Sequence, residues 1–246
     1  MEKIVTLLLT HQPAAAVGRM VEYWTGHGAA TTVVVAYGGQ GEEFGRIVHP
    51  CKCHVTDPEL RTSDHPRERQ SYLGVYRTAV PLLEELGATH VHFGEYDEVP
   101  LVDRLGARLL ERMVAEGADV LGHNLRRVDG SSHPHWLNHV RDPWFAEYWE
   151  SMSCRDDRSV VLTMLGCGSF WSIEAFREVA VLRPPGKIYL ELFLPTAAHH
   201  LGFRVRGTGE QEKFVQPHEE KTPAMLDDMR RAGAWVAHPV KSFWAT

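Results

Sequence analysis

The sequence predicts an α/β protein, a single domain with a mixed, mainly parallel central sheet flanked by helices. Short apolar runs bounded by polar residues alternate with longer stretches in which apolar residues recur at helical spacing. The first segments follow in the order strand, helix, strand, which is typical of a parallel βαβ unit. The composition of the 246 residues, 43% hydrophobic and 24% charged, is that of a globular protein that can bury a substantial core.

The opening βαβ unit is the clearest part of the pattern. Lys3 to Thr10 is a continuous apolar run, as expected for a strand buried on both faces of a sheet. Pro13 to Trp24 has helical spacing, and glycines end it. Thr31 to Ala36 is a β-branched strand, closed by the turn Tyr37-Gly38-Gly39. Ligands of such sheets bind beyond the carboxyl ends of the strands, so we expect the functional site there.

The middle of the chain places acidic residues after another predicted strand. Residues 40 to 69 carry prolines and no clear periodicity, which predicts a loop with one short strand. Helical spacing runs from Glu68 to Leu86, and Gly87 ends it. Thr89 to Phe93 predicts the next strand, whose carboxyl end is followed by Glu95, Tyr96, Asp97 and Glu98.

The second half continues the alternation of elements. We expect Pro195 to break a helix there. We find no internal repeat and no linker that would divide the chain. The pattern predicts helices over Leu101–Glu116, Ile173–Val181, Lys187–His200 and Pro223–Ala232, strands over Asp119–His123, Val160–Leu165, Ser169–Ser172 and Phe203–Arg206, and a loop with a short helix over Ser131–Trp149.

Composition also limits the partners and the compartment. The net charge of −6, without a basic stripe, predicts no binding to nucleic acid. No segment approaches the roughly 18 apolar residues of a membrane span. The first apolar run is too short for a signal peptide, and the four cysteines are sparse, so we expect a cytoplasmic protein with reduced thiols.

The segment His92-Phe93-Gly94-Glu95-Tyr96-Asp97-Glu98 is the strongest indication of chemistry. Carboxylates at the end of a buried strand repel one another unless a cation compensates them. In an extended chain Glu95 and Asp97 point to the same side, because strand side chains alternate. Their oxygen atoms suit Mg²⁺ or Mn²⁺. The alternative is that these acids cap a helix starting near Leu101, or lie in solvent.

These residues resemble the strand end that carries the DxD motif in the GT-A glycosyltransferases, here in the variant form Glu95-Tyr96-Asp97. The order of elements is similar to that fold. Gly166-Cys167-Gly168-Ser169-Phe170, followed by Glu174-Ala175-Phe176, resembles the acceptor-side segment of the family. Tyr189-Leu190-Glu191 stands where the family has the helix with its catalytic acid.

The resemblance implies a Rossmann-like glycosyltransferase domain over residues 1–246, with a nucleotide-binding part over about 1–100 and an acceptor part over about 101–246. It implies a nucleotide-diphosphate sugar as donor and an unidentified acceptor. Mn²⁺ or Mg²⁺ would be held by Glu95, Asp97 and His238. Asp97 and Glu191 would be the catalytic residues, with Glu191 as general base. The nucleotide would lie against Thr10, His11, Gln12, Tyr37, Gly38, Gly39, Gln70, Arg77 and Tyr96.

Two departures from the family leave alternatives open. The first acid is a glutamate, and Leu190-Glu191-Leu192 replaces the common Glu-Asp pair. A branch of the fold uses cations instead of a metal, a role open to Arg204, Arg206 or Lys213. A sugar nucleotidyltransferase would share the sheet, but the loop after the first strand lacks the glycine-rich basic sequence of such enzymes. A non-catalytic module that binds carbohydrate or a partner is the remaining alternative.

Two other groups of histidine and cysteine residues contain side chains of the types that bind metals. The segment His49-Pro50-Cys51-Lys52-Cys53-His54 has four ligand-type side chains without the usual spacing of a zinc site. His133, His135 and His139 lie in a segment that we expect to be a loop over the site. Trp136 and Trp144 in that segment would stack on a sugar ring or anchor the loop to the core.

Overall fold

A computed structural model describes residues 2–27, 32–56, 71–139, 145, 147–148, 151, 157–184, 188–216 and 219–244. The strands are β1 (Ile4–Thr10), β2 (Thr32–Tyr37), β3 (Lys52–His54), β4 (His90–Glu95), β5 (Val99–Pro100), β6 (Val120–Gly122), β7 (Arg126–Arg127), β8 (Leu162–Thr163), β9 (Ser169–Ser172), β10 (Val205–Gly207) and β11 (Val236–Ala237). The helices are α1 (Ala14–Gly26), α2 (Gly41–Arg46), α3 (Ser71–Glu85), α4 (Leu105–Ala115), α5 (Pro134–His139), α6 (Ile173–Ala180), α7 (Leu190–His200) and α8 (Leu226–Arg231).

The central sheet has seven strands in the order β10-β6-β9-β4-β1-β2-β3. Strands β3, β2, β1 and β4 are parallel neighbours, and β10 is parallel to β6. Strand β9 runs antiparallel to both β4 and β6, so the carboxyl ends of β4 and β6 lie at the same edge as the start of β9. The predicted mixed, mainly parallel sheet flanked by helices is confirmed.

Both faces of the sheet are covered, as the apolar run of β1 predicts. Val5 and Leu7 pack with α3, α6 and α7 on one face, and Leu8 packs with α1, α4 and the C-terminal segment on the other. No helix among the described residues has the length and apolar character needed to cross a membrane.

The C-terminal segment returns to the acidic strand end through a second, two-stranded sheet. Strand β11 pairs antiparallel with β5, with Val236 opposite Pro100 and Ala237 opposite Val99. The His238 backbone forms a further bridge with Val215. The pairing of β5 with β11 therefore holds His238 close to the acidic residues that precede β5.

The structure corrects several predicted element bounds. Residues 41–46 form helix α2 rather than loop, stabilised by acids in its first turn and by Arg46, which pairs with Glu42 and Glu43. Helix α4 begins at Leu105, later than predicted, and only the short strand β8 forms within residues 160–165. Within residues 131–149, where a loop with a short helix was predicted, Pro134–His139 form the short helix α5.

Pro195 does not break its helix, contrary to our expectation. Helix α7 continues from Leu190 to His200 with Pro195 inside it. A proline lacks the N–H that would bond the carbonyl four residues earlier, which here belongs to Glu191. The backbone N–H of Met164 donates to that carbonyl at 3.1 Å. The hydrogen bond lost within the helix is thus replaced by one to the segment after β8.

Candidate active site

The acidic residues lie in a turn at the carboxyl end of β4. Glu95 is the last residue of the strand, and the backbone N–H of Glu98 donates to the Glu95 carbonyl at 3.0 Å. The extended conformation therefore ends at Glu95. The alternation of side chains that we expected to continue to Asp97 does not do so. The two carboxylates are nevertheless close enough to interact. Burial, and then the negative charge of Asp97, raise the pKa of Glu95 to about 8.

Backbone hydrogen bonds from the C-terminal segment fix this turn. The Val240 N–H donates to the Asp97 carbonyl at 2.7 Å, and the Trp244 indole N–H donates to the Tyr96 carbonyl. The carboxylates do not cap helix α4, because that helix begins after Arg104 without a side-chain cap. The alternative that the acids serve as a helix cap is therefore wrong.

Asp97 is 5% exposed and His238 is 8% exposed, and they face each other in this buried turn. The Asp97 Oδ1 atom lies 3.4 Å from His238 Nε2. Burial lowers the pKa of His238, but the contact with Asp97 and the surrounding carboxylate charges outweigh it and raise this pKa above its ordinary value. The structure thus brings two of the three predicted metal ligands into contact.

Cys167 is a further member of this cluster that the sequence analysis did not identify as a ligand. Its Sγ atom lies 3.4 Å from His238 Nε2. Phe93 pairs with Ser169 in the antiparallel β4–β9 ladder, and extending this register by two residues sets Cys167 against Glu95. Ligand atoms of Glu95, Cys167 and His238 all lie within 4.8 Å of one another, and within the described residues no other set of three metal-binding side chains is so compact.

A second buried layer surrounds Glu98, which is 1% exposed. His92 Nε2 lies 3.2 Å from Glu98 Oε1, and His123 Nδ1 lies 2.7 Å from the Thr208 hydroxyl. Burial, and then the neighbouring histidines, lower the pKa of His123 to about 3, so this ring is neutral. The sequence analysis gave no role to these histidines, although both stand at or near the carboxyl end of a strand.

The donor set fits a divalent cation. Asp97 Oδ1 and Glu98 Oε1 are buried with only a histidine nitrogen beside each, and Glu98 Oε2 has no hydrogen-bond donor among the described residues. Buried carboxylate oxygens with so few donors are costly unless a cation compensates them. The raised pKa of Glu95 has the same physical cause. Glu95 and His238 belong to the compact set of ligand atoms, and Asp97 contacts His238, so the three predicted ligands lie in one cluster.

Glu191 faces the same cluster from helix α7. Its negative charge is one of the influences that raise the pKa of Glu95 and of Cys167. The Tyr189 hydroxyl donates to Glu191 Oε2 at 3.2 Å, and His135 Nε2 lies 3.5 Å from the same oxygen. His135 Nδ1 is 2.7 Å from the Thr163 hydroxyl. These contacts orient the Glu191 carboxylate at the edge of the acidic cluster.

The residues predicted to hold the nucleotide are brought together at the ends of β1 and β2. Thr10 is opposite Tyr37 in the parallel ladder, and the Gly38 N–H donates to the Thr10 carbonyl at 2.8 Å. The His11 ring lies 4.7 Å from the Tyr96 ring, which links this loop to the acidic turn. Gln12 follows His11, and their side chains lie 3.4 Å apart.

The Tyr37 side chain is buried and packs beneath the backbone of Gly39, whose Cβ, if present, would lie 2.4 Å from the Tyr37 hydroxyl. Gly38 is also buried, whereas Gly39 is partly exposed. Arg77 lies on helix α3, and Gln70 is outside the described residues. The first N–H of α1 is already paired, because Ala14 donates to Glu43 at 2.9 Å, so the start of α1 does not offer that amide to a phosphate.

The arginine and lysine side chains considered for a metal-independent site have no contact with the acidic turn among the contacts of the described residues. Arg204 pairs with Asp119 at the amino-terminal end of β6, opposite the acidic edge, and Lys213 pairs with Glu210. Arg206 lies on the edge strand β10 and is exposed.

The other predicted clusters are held by ordinary contacts. His49 bonds the Val33 carbonyl, and His54 bonds the Gly39 carbonyl. Cys53 is half-buried in strand β3, and burial raises the pKa of its thiol to about 11. Trp136 packs against the core, as one of its two predicted roles requires, and Trp144 is outside the described residues.

Comparisons with known proteins concern the fold. No family model and no curated protein matches the chain. The apo structure of the bifunctional glycosyltransferase WbbM matches 96% of this chain and 45% of that one, with a TM-score of 0.50 and 12% identity. IspDF, a bifunctional protein from Campylobacter jejuni, matches 86% of this chain and 51% of that one, with a TM-score of 0.44 and 9% identity. S. aureus TarS 1-349 in complex with UDP-GlcNAc matches 85% of this chain and 56% of that one, with a TM-score of 0.42 and 12% identity.

The chain spans about half the length of these solved chains. At 12% identity the likeness to WbbM concerns the fold alone, and it agrees with the fold that the GT-A resemblance implies.

Proposed function

We propose that this chain is a glycosyltransferase that moves a sugar from a nucleotide-diphosphate donor to an acceptor hydroxyl or amine. One observation carries the proposal: a cluster of buried carboxylates, with only histidines to offset their charge, lies at the carboxyl edge of the sheet, and Glu191 faces it. In an open α/β sheet this edge is where ligands bind. A site with excess buried negative charge suits a reaction assisted by a divalent cation.

Asp97, Glu95 and His238 are the residues that would hold this cation, with Mn²⁺ and Mg²⁺ as the expected ions. Bound there, a divalent cation neutralises negative charge on a diphosphate leaving group as the bond to the sugar breaks. His238 is well suited to this role because the β5–β11 pairing fixes it independently of Asp97.

Glu191 is the proposed general base. It would accept the proton of the attacking acceptor group, which needs a carboxylate oxygen within hydrogen-bond reach of that group. Tyr189 and His135 both contact Glu191 Oε2, which restricts the carboxylate to few orientations. This base is required only if the anomeric configuration is inverted, so NMR of the product anomer tests the assignment.

The donor nucleotide is proposed to lie against Thr10, His11 and Gln12 and the backbone of Gly38 and Gly39. Both loops leave neighbouring parallel strands beside the acidic turn.

The proposal is tested by the turnover of nucleotide-diphosphate sugars by wild-type protein and by Asp97→Asn. We expect this substitution to lower turnover on the order of a hundredfold or more, with an unchanged circular dichroism spectrum. Asp103→Asn, which changes an exposed aspartate of the same loop region, is the control and should retain full activity.

Equal activity of Asp97→Asn and wild type would contradict the assignment of the site. Release of pyrophosphate from a nucleoside triphosphate and a sugar phosphate, without sugar transfer, would instead identify a nucleotidyltransferase. Binding of carbohydrate without turnover of any donor would indicate a non-catalytic module.

A further inference from the structure

Cys167 occupies a place in the acidic cluster that none of the roles above explains. It is 5% exposed and lies in the turn before β9, with its sulfur atom directed at His238. The neighbouring Gly168 has a φ of +67°, a conformation that turns the chain so that Cys167 faces the end of β4. The fold therefore inserts a sulfur atom among carboxylate and imidazole ligands.

Ligand atoms of Glu95, Cys167 and His238 lie within 4.8 Å of one another, which is close enough for one cation to contact all three. His238 Nε2 lies 3.4 Å from Cys167 Sγ. In a tetrahedral zinc site, bond lengths of about 2.3 Å to sulfur and about 2.0–2.1 Å to nitrogen or oxygen separate such donors by about 3.4–3.6 Å. Around an octahedral Mg²⁺, two donors at about 2.0–2.1 Å and a right angle lie only about 3 Å apart.

The type of ligand also distinguishes the possible cations. A thiolate is a soft ligand, which Zn²⁺ accepts and which Mg²⁺, a hard cation, does not favour. We propose that Cys167 is a ligand of the cation site and that this site takes a thiophilic divalent cation, Zn²⁺ first, bound by Cys167, His238 and Glu95. Asp97 lies beside them, in contact with His238. As the metal–sulfur bond forms, the S–H bond breaks and its proton goes to solvent.

A cysteine next to a histidine also suggests a nucleophile pair, but the surroundings of Cys167 oppose that role. A nucleophilic cysteine needs a stabilised thiolate beside positive charge. Here burial and the carboxylates of Glu95, Glu98 and Asp97 raise the pKa of the Cys167 thiol well above its usual value. The thiolate becomes favourable only when a cation offsets these charges.

The inference deepens the proposed function, because it concerns the cation of the same site, but its test requires no sugar nucleotide. Purified protein is stripped of metal and titrated with Co²⁺, a spectroscopic substitute for Zn²⁺. We expect a thiolate-to-cobalt charge-transfer band in the near ultraviolet for wild type. The band should disappear in Cys167→Ser. Zn²⁺ affinity, measured by calorimetry, should fall more than about tenfold in that variant, with Mg²⁺ affinity little changed.

A second variant keeps the test valid if Cys167→Ser folds poorly. The chain has four cysteines, and serine at Cys51, Cys53 and Cys154 leaves Cys167 as the single thiol. This triple variant should retain the full cobalt band. Absence of the band in wild type or in the triple variant, or its persistence in Cys167→Ser, would overturn the inference.

Failure of this inference and failure of the proposed function give different results. If donor turnover depends on Asp97 and Mg²⁺ while no cobalt–thiolate band forms, the transferase stands and the thiolate ligand is wrong. If the band forms and depends on Cys167 while no nucleotide sugar is turned over, the metal site stands and the transferase is wrong.

Discussion

A buried carboxylate is tolerated in a folded protein only where something offsets its charge, and the residues around Asp97 show this at the scale of single side chains. Glu98 has His92 beside it, whereas Asp97 and Glu95 share the contact of His238. One imidazolium can balance only one of these two carboxylates, and the pKa of Glu95, raised to about 8, shows that its ionised form is not compensated. A cation would supply the positive charge that lets both carboxylates ionise, which is the physical reason for assigning one to this turn.

Glu191→Gln is the residue-scale test of the proposed base. The amide keeps the shape of the side chain but cannot accept a proton, so we expect a lower kcat with the Kd for the donor close to normal. Transfer kinetics and donor calorimetry measure the two quantities. Glu210→Gln, at a glutamate with a 93% exposed side chain, is the control. Unchanged kcat in Glu191→Gln would leave Glu191 with a structural role.

The sequence and the family resemblance assigned most of these residues to one site, but they did not predict that Cys167 and His123 lie beside it. Glu95, Asp97, Glu191 and His238 were predictable because a strand pattern or a resemblance placed each at a functional position. Cys167 and His123 were not, because a cysteine in a glycine turn and a histidine at a strand end have no periodic signature. Their contacts depend on β9 lying between β4 and β6.

At the scale of elements, the turn before β9 is held close to the end of β6. A Cβ at Gly168 would lie 2.9 Å from the His123 ring, and the φ of Gly168 is +67°. Gly168→Ala therefore combines an unfavourable backbone conformation with a steric clash.

We expect Gly168→Ala to lower the free energy of unfolding by about 2 kcal/mol or more. Gly130→Ala is a matched control, because Gly130 has the same φ of +67° and nothing within 4 Å of the added Cβ. Gly130→Ala should lower the free energy of unfolding by only about 1 kcal/mol, which is the cost of placing an alanine at a positive φ. Urea unfolding of both variants gives the comparison, and equal costs would show that the turn before β9 is not tightly packed.

The two-stranded β7–β8 sheet depends on Asp129, which accepts two hydrogen bonds from Arg127 and one from the Val161 backbone. The Arg127 hydrogen bond is the main cause that lowers the pKa of Asp129 below its ordinary value of 3.8. A lowered carboxyl pKa means that the unfolded chain binds the proton more readily. The stabilisation is therefore present above the unfolded pKa and is lost as pH falls through the folded pKa.

We expect Asp129→Asn to cost about 1 kcal/mol of unfolding free energy at neutral pH and progressively less as the pH falls below the ordinary aspartate value of 3.8. Urea unfolding at neutral pH and at a series of acidic pH values measures it. Asp227→Asn removes a pair in which the aspartate side chain is 74% exposed, and it should change stability little. A cost for Asp129→Asn that persists unchanged in acid would contradict the ionic origin of the effect.

At the scale of the whole molecule, the site exists only when three distant parts of the chain are assembled. The turn after β4, the turn before β9 and the C-terminal segment after β11 each contribute ligand-type side chains. A ligand that binds this assembled site should therefore stabilise the native state over the unfolded chain.

We expect a nucleoside diphosphate together with its divalent cation to raise Tm. At a concentration of about a hundred Kd, binding contributes about 2.7 kcal/mol. In a chain of this size that corresponds to a rise of roughly 5–10 °C. A thermal-shift screen of nucleoside diphosphates with Mn²⁺, Mg²⁺ and Zn²⁺ measures it. In Asp97→Asn, the share of the Tm rise that depends on the cation should be lost. A Tm rise that is the same in this variant and in wild type would exclude Asp97 from the site.

The sequence by itself determined the central strands, most of the helices and the position of the acidic turn. These follow from local periodicity, from glycine and proline positions, and from strand ends, all of which are properties of neighbouring residues. It failed where local and long-range effects compete. Pro195 was expected to break a helix, yet the helix continues with the Glu191 carbonyl bonded to the Met164 N–H.

Only the tertiary structure decided which side chains form the site. The antiparallel insertion of β9 between β4 and β6 sets Cys167 against Glu95, and the pairing of β11 with β5 carries His238 to Asp97. These pairings join residues far apart in the chain through backbone hydrogen bonds that any sequence of suitable pattern can form. Which strands pair depends on which apolar faces pack against each other in the folded protein. The pattern of residues along the sequence does not contain that information.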